Sequence, residues 1–308
     1  MTAFAFSYFT FRILGGKEME FFVGLLPAFF WGFTPVLVSK LGGKPINQQL
    51  GTSFGCGILA IIVFAIFRPA ITVGLAIGCL ISGLAWSVGQ FCQFTAYTIL
   101  GTSKAFALSI SIEMLLNAIV GVLVFHEWTT TNQIILGLSA IACVIIGGNL
   151  TAYTSNKSGA SKATLKKGLI TLTIGACGLC IWNYALRVVD ADGLTAVFPQ
   201  AVGMVLGSLI ISIFAGKGVK KFGTDTAKQL IPGIIYAAAN FSLIFSNQLN
   251  GVAVGYTMAQ LCLVIEIILG FAILKEHRDK TRSEIVYSVL GAVFITAGCI
   301  MVGLVGSV

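Results

Sequence analysis

Trp86, Gln90, Gln93 and Tyr97 are spaced i, i+4, i+7 and i+11, which on a helix puts an indole, two carboxamides and a phenol on one face. Tyr236, Asn240 and Asn247 set out a matching face further along the chain. A carboxamide both donates and accepts hydrogen bonds, as a sugar hydroxyl does, and an aromatic face covers the apolar C–H face of a pyranose or furanose. An anion would call for Arg or Lys at depth, and a cation for paired acids. The stripes therefore suit a neutral polyol. The competing reading is that the amides only join helices, worth on average about 0.6 kcal/mol each in a membrane. Further candidates for substrate contact are Trp31, Asn183 beside Trp182, and Gln260, four residues after Tyr256. Gln48 and Gln200 form a pair that either caps or gates.

Two acids fall inside apolar runs, Glu113 and Glu266. A buried ionisable residue costs at least about 2.5 kcal/mol on insertion scales, so each is a functional candidate. Ser109 and Asn117 flank Glu113 at i−4 and i+4, making it the expected proton carrier. Glu266 has apolar neighbours and reads as a protonated contact between helices. All eight cysteines lie in apolar runs, and Cys177-x-x-Cys180 has no histidine nearby. Neither a disulfide framework nor a metal or cofactor site is implied. His126 and His277 fall in connections beside Glu127 and Glu276, where an interfacial role is expected. No cluster points to an enzyme.

These residues sit in a chain of 308 residues that is 57% hydrophobic and 10% charged. A soluble domain is about 45–50% apolar and about 25% charged, so the solvent for most of this chain is lipid. Ten windows are long and apolar enough to span a bilayer: 21–40, 48–67, 77–100, 105–125, 132–153, 168–188, 195–215, 230–250, 254–274 and 285–306. Continuous runs such as GILAIIVFAIF exclude the alternating strands of a barrel. The net charge of +8 lies in the short connections, where it faces headgroups rather than nucleic acid. Fifteen of the nineteen Lys and Arg fall at the odd-numbered connections, which places those in the cytoplasm and both termini outside. Residues 1–18 form an N-terminal arm. Gly15-Gly16-Lys17-Glu18 before Met19 reads as a translated ribosome-binding site, making Met19 the expected start.

A shift of 150 residues lays Gly83, Trp86, Gln90, Phe91 and Gly101 on Gly233, Tyr236, Asn240, Phe241 and Gly251. A shift of 152 lays Gln48, Gly51 and Gly55 on Gln200, Gly203 and Gly207, and one of 149 lays Glu127 on Glu276. The expected organisation is a first five-helix repeat over 19–155, a basic cytoplasmic linker over 156–167 and a second repeat over 168–308. Five spans per copy force the copies into opposite orientations, the inverted-repeat plan of secondary transporters. The fold class is thus all-α, with ten transmembrane helices. The G-x-x-x-G pairs Gly51/Gly55 and Gly203/Gly207 are packing residues. Pro27, Pro35, Pro199 and Pro232 bend or interrupt helices.

The stretches LLPAFFWGFTPVLVSKLGGKPINQQLGTSFG, GLAWSVGQ, GTSKA, HEW and DGLTAVFPQAVGM resemble the bacterial glucose/ribose uptake family of the drug/metabolite transporter superfamily. The resemblance runs from about Met19 to the C-terminus, and its motifs are nearer to the ribose than to the glucose members. It implies import of a neutral monosaccharide, ribose before glucose, by proton symport in a bacterial cytoplasmic membrane. The family positions it carries over are Trp31, Gln48, Trp86, Gln90, Gly101, Lys104, Glu127, Gln200, Asn240, Gly251 and Gln260. Relatives carry Gln at the position of Glu113 and no acid at that of Glu266, so their coupling mechanism does not transfer. Export of a small metabolite or drug, and a non-transporting sugar sensor, are the alternatives.

Overall fold

The computed structural model describes residues 17–126, 128–153, 162–250, 255 and 258–305, with the backbone alone described at 17–20, 247, 248, 250 and 279. Among these residues every regular element is a helix. In chain order they are α1 (Lys17–Leu41), α2 (Pro45–Phe67), α3 (Val73–Leu100), α4 (Thr102–Leu123), α5 (Thr131–Ala152), α6 (Lys162–Val188) and α7 (Gly193–Ala215). A short helix, Thr224–Lys228, then leads into α8 (Leu230–Asn250), followed by α9 (Cys262–Leu269) and α10 (Arg282–Val305). Among the described residues nine helices are long and apolar enough to cross a bilayer, and the molecule is a multi-pass membrane protein.

Helix starts follow from local polar chemistry. Asp192 accepts from the N–H groups of Leu194 and Thr195 at 2.9 and 3.0 Å, opening α7. Thr130 and Gln133 form a reciprocal capping box at α5, and Thr281 with Glu284 does the same at α10. Pro27 and Pro35 sit inside an unbroken α1. Pro35 has no N–H to offer the Trp31 carbonyl, which it therefore releases beside the cavity described below. The ninth window departs from expectation. The chain turns at Gln260–Leu261 before α9, and the helix passes into a π-helical turn at Gly270–Leu274. Non-helical backbone at membrane depth is tolerated where it lines a cavity, and Gln260 does so.

Isoleucines along the outer faces, such as Ile61, Ile66, Ile135 and Ile213, are exposed, as lipid contact requires. Inside, α3 packs on α6 and α7, α8 on α1 and α2, α4 on α6, α9 on α1, α2 on α7 and α5 on α10. The odd-numbered turns are tied together at one end. Asn47 donates to the Lys220 carbonyl at 2.8 Å, Glu276 accepts from Thr102 N–H at 2.7 Å, and Gln229 donates to the Gly42 carbonyl at 2.8 Å. This basic end also carries Lys40, Lys44, Lys217, Lys275 and Arg278; the opposite end carries Arg68 and Arg187.

Candidate functional site

A cavity of about 580 Å³ lies between α1, α3, α4, α6, α7, α8, α9 and α10, well within the size range of small-molecule sites. It reaches exposed Gly193 at one end, and towards the basic end its wall is made of buried Phe94, Tyr97 and Phe106. Its lining brings together Trp31, Gln90, Gln93, Glu113, Asn183, Gln200, Tyr236, Asn240 and Gln260. Residues drawn from eight helices thus meet around one space, although they lie far apart in sequence.

The polar side chains are held in chains of hydrogen bonds that each join two or three helices. Gln90 Nε2 donates to Gln93 Oε1 at 2.7 Å, and Gln93 Nε2 donates to Ser109 Oγ at 2.9 Å, fixing both amides of α3 against α4. The Trp31 indole N–H donates to Asn240 Oδ1 at 3.1 Å, joining α1 to α8. Asn183 Nδ2 donates to Glu113 Oε1 at 3.2 Å, joining α6 to α4. Gln200 Nε2 donates to Ser82 Oγ at 2.9 Å, and the Ser82 hydroxyl donates to the Trp182 carbonyl at 2.6 Å. Side chains pinned in this way can recognise a ligand without first losing rotamer freedom.

Trp86 takes another position. It is fully buried and outside the lining, and its indole N–H donates to the Tyr236 hydroxyl at 2.8 Å with ring centroids 5.4 Å apart. It therefore sets the orientation of Tyr236, which does face the cavity. Gln48 is also away from the lining, donating to the Gly42 carbonyl at 3.4 Å in the turn after α1. The glycines Gly51, Gly55, Gly203 and Gly207 all sit at close helix crossings. A methyl on any of them would overlap a neighbour: Thr226 O, Leu230 O, Leu80 O and Ser87 Oγ respectively. The side chain of Asn247, together with Tyr256 and Glu127, lies outside the described residues.

Glu113 is the one charged residue in the lining, among the described residues. Neither Arg nor Lys faces it there, so the site offers amides, hydroxyls, rings and a single carboxyl. Trp182 is a lining residue that polarity in the sequence did not single out. Its indole nitrogen is buried and has no hydrogen-bond partner. Asn117, also in the lining, has a buried Oδ1 in the same condition. Among the described residues no three His, Cys, Asp or Glu side chains meet as a metal site would require.

The chain matches the profile of a family described as sugar transport protein over residues 22–305. It is 40% identical over 289 residues to "Putative sugar uptake protein lmo0169" of Listeria monocytogenes, covering 94% of this chain and 100% of that protein. It is 36% identical to "Probable glucose uptake protein GlcU" of Bacillus cereus, covering 94% and 100%. With glucose uptake protein GlcU of Bacillus subtilis it shares 32% identity, covering 93% and 98%. A solved structure described only as a crystal structure of a protein superposes with a TM-score of 0.55 at 14% identity, covering 95% of this chain and 99% of that one. That likeness speaks to the fold alone.

Proposed function

Because the chain belongs to the sugar transport protein family, we propose that it imports a neutral monosaccharide by alternating access, with a proton carried on Glu113. The observation that carries this reading is the composition of the cavity wall: carboxamides and aromatic rings, held in place by one another, with one carboxyl and no cation. Such a wall matches a solute with many hydroxyls and no charge. The sequence motifs favour ribose, and the names of the Bacillus relatives favour glucose.

Two inverted copies of five helices would supply the alternation. Exchanging each helix with the one five places on preserves the main packing pairs: α3 on α6 and α7 becomes α8 on α1 and α2, and α4 on α6 becomes α9 on α1, although the α3–α4 contact has no α8–α9 counterpart of like extent among the described residues. The pairs α2–α7 and α5–α10 map onto themselves. Between α5 and α10 the correspondence reaches single residues. A methyl on Gly147 would meet the Gly291 carbonyl and Ile295, and one on Gly298 would meet the Ala140 carbonyl and Val144, all related by a shift of 151. Gly203 faces Gly83 as Gly55 faces Gly233. On this axis the second and seventh helices align with a shift of 148, one helical turn from the 152 of the sequence comparison, and Gln200 corresponds to Thr52 rather than to Gln48.

With the basic end in the cytoplasm, the cavity faces outward in this structure, and both termini lie outside. Uptake of radiolabelled ribose and glucose into proteoliposomes, with and without an inward proton gradient, tests the reading. Gradient-stimulated accumulation of one sugar supports it. Binding without counterflow of either sugar overturns it.

A further inference from the structure

Outside the cavity, α9 carries a second carboxyl that the proposed function does not use. Glu266 is 0% exposed, and neither of its oxygens has a hydrogen-bond partner. An ionised carboxylate in such a place, with no cation or donor, is costly by several kcal/mol, whereas a carboxylic acid needs one acceptor only. An acceptor is at hand. Ser103, 2% exposed, lies beside Glu266, and its hydroxyl likewise has no partner. Both oxygens border one small gap that exists because residue 270 is glycine: a methyl there would overlap Ser103 Oγ and come within 3.4 Å of Glu266 Oε1. The helix turns π-helical from Gly270 onward, a departure frequent at functional sites.

The gap is one residue away from the surface. The backbone N–H of Ser103 donates to the Glu276 carboxylate at 3.3 Å, and that carboxylate meets Lys280 at 3.4 Å, with Glu276 14% exposed at the basic end. The other titratable groups that face Glu266 are Tyr97 of α3 and Cys262 of its own helix. Tyr97 lines the cavity, so Glu266 stands between the cavity wall and the basic end.

We infer that Glu266 is a second proton-binding site, loaded and emptied through Ser103 and Glu276 at the basic end of the molecule. The step involves O–H bonds only. The Glu266 proton passes to Ser103 Oγ as the Ser103 hydroxyl proton moves, through a water molecule drawn from the basic end, to the Glu276 carboxylate, which in this structure accepts from the Ser103 backbone N–H rather than from its hydroxyl; loading is the reverse. The role in transport rests on the sugar-symport reading, while the binding of the proton does not.

The test uses the full chain in proteoliposomes that contain a pH indicator. With Glu266→Gln, sugar counterflow is retained, showing a folded carrier, while sugar-driven proton influx falls by at least about tenfold, as expected when a protonatable group leaves the path. Ser103→Ala gives the same direction of change. Unaltered proton influx in Glu266→Gln overturns the inference, even if Glu113→Gln abolishes that influx. Should Glu266→Gln lose counterflow, infrared spectra of the unaltered protein and of Glu113→Gln decide. A carbonyl band of a neutral carboxylic acid that bleaches as the medium is made alkaline, in both proteins, supports the site. A band absent from Glu113→Gln, or insensitive to pH there, overturns it. Failure of counterflow in the unaltered protein would instead sink the transport reading and leave the infrared result standing.

Discussion

Glu113 and Glu266 are the same residue type buried in apolar helices, yet their surroundings differ. Glu113 lies on the cavity wall and accepts from the Asn183 amide, so on the proposed reading a proton on it and a sugar in the cavity would sense one another directly. Replacement Glu113→Gln keeps the size and the contact with Asn183 and removes the proton. Accumulation against a gradient should be lost while counterflow persists, measured as labelled sugar retained in proteoliposomes. Asn240 and Gln90 also line the cavity, and on the proposed reading their amides meet the solute. Truncating Gln90→Ala removes one neutral hydrogen-bonding group and releases Gln93, and a net worth of about 0.5–1.5 kcal/mol translates into a KM raised roughly two- to tenfold. An unchanged KM for ribose and glucose would remove Gln90 from the site. Most of these wall residues were legible in the sequence because a carboxamide or acid is conspicuous in an apolar run. Trp182 was not, since an indole among apolar residues carries no polarity signal; its position 151 residues after Trp31 was the one clue. Trp86 was legible as part of the stripe, but its place behind Tyr236 depends on how two helices face each other, which spacing on one helix does not fix.

At the scale of elements, the fold rests on glycine at the crossings. Gly83 of α3 lies against α7 so closely that a methyl would overlap the Gln200 carbonyl and press on the Gly203 backbone. Backbone atoms cannot move aside as a flexible side chain can, so Gly83→Ala should destabilise the bundle by about 1–3 kcal/mol, read as a lower unfolding temperature in detergent. Gly57, whose methyl would meet Val205 Cγ2 at 3.4 Å, is the control, and Gly57→Ala should leave that temperature nearly unchanged. The ten apolar windows were visible in the sequence because span length and composition are local properties. The interruption at Gln260–Leu261 and the π turn after it were not, because the sequence there has neither proline nor a turn motif, and a break stabilised by lining a cavity leaves no local mark. On the inverted-repeat reading the 148 shift differs by one turn from the 152 of the sequence comparison, because 152 lays both Gly51 and Gly55 on glycine whereas 148 lays only Gly55 on Gly203.

For the whole molecule, the proposed inverted repeat would make the two halves of the cavity comparable, and on that reading they are not in the same state. Trp31 donates to Asn240. The shifts of 151 and 150 that relate the halves carry this pair onto Trp182 and Gln90, where the bond is absent: the Trp182 nitrogen is buried without a partner, and Gln90 donates to Gln93 instead. A buried donor left unpaired costs about 1–3 kcal/mol, a cost that the inverted-repeat reading makes temporary. On that reading the Trp182–Gln90 bond would form and the Trp31–Asn240 bond would open when the halves exchange conformations, so that each state would be latched on one side of the cavity. Trp31→Phe should therefore depopulate the state in which the cavity reaches Gly193, and Trp182→Phe should enrich it, each by about two- to tenfold, the worth of one hydrogen bond. A cysteine placed at Leu186, a lining residue near that mouth, in a background with the native cysteines replaced, reports the population through its rate of labelling by an impermeant maleimide. The rate should fall with Trp31→Phe and rise with Trp182→Phe. Changes of the same sign in both would mean that the two tryptophans do not stand in for one another, and that the halves do not trade places during transport.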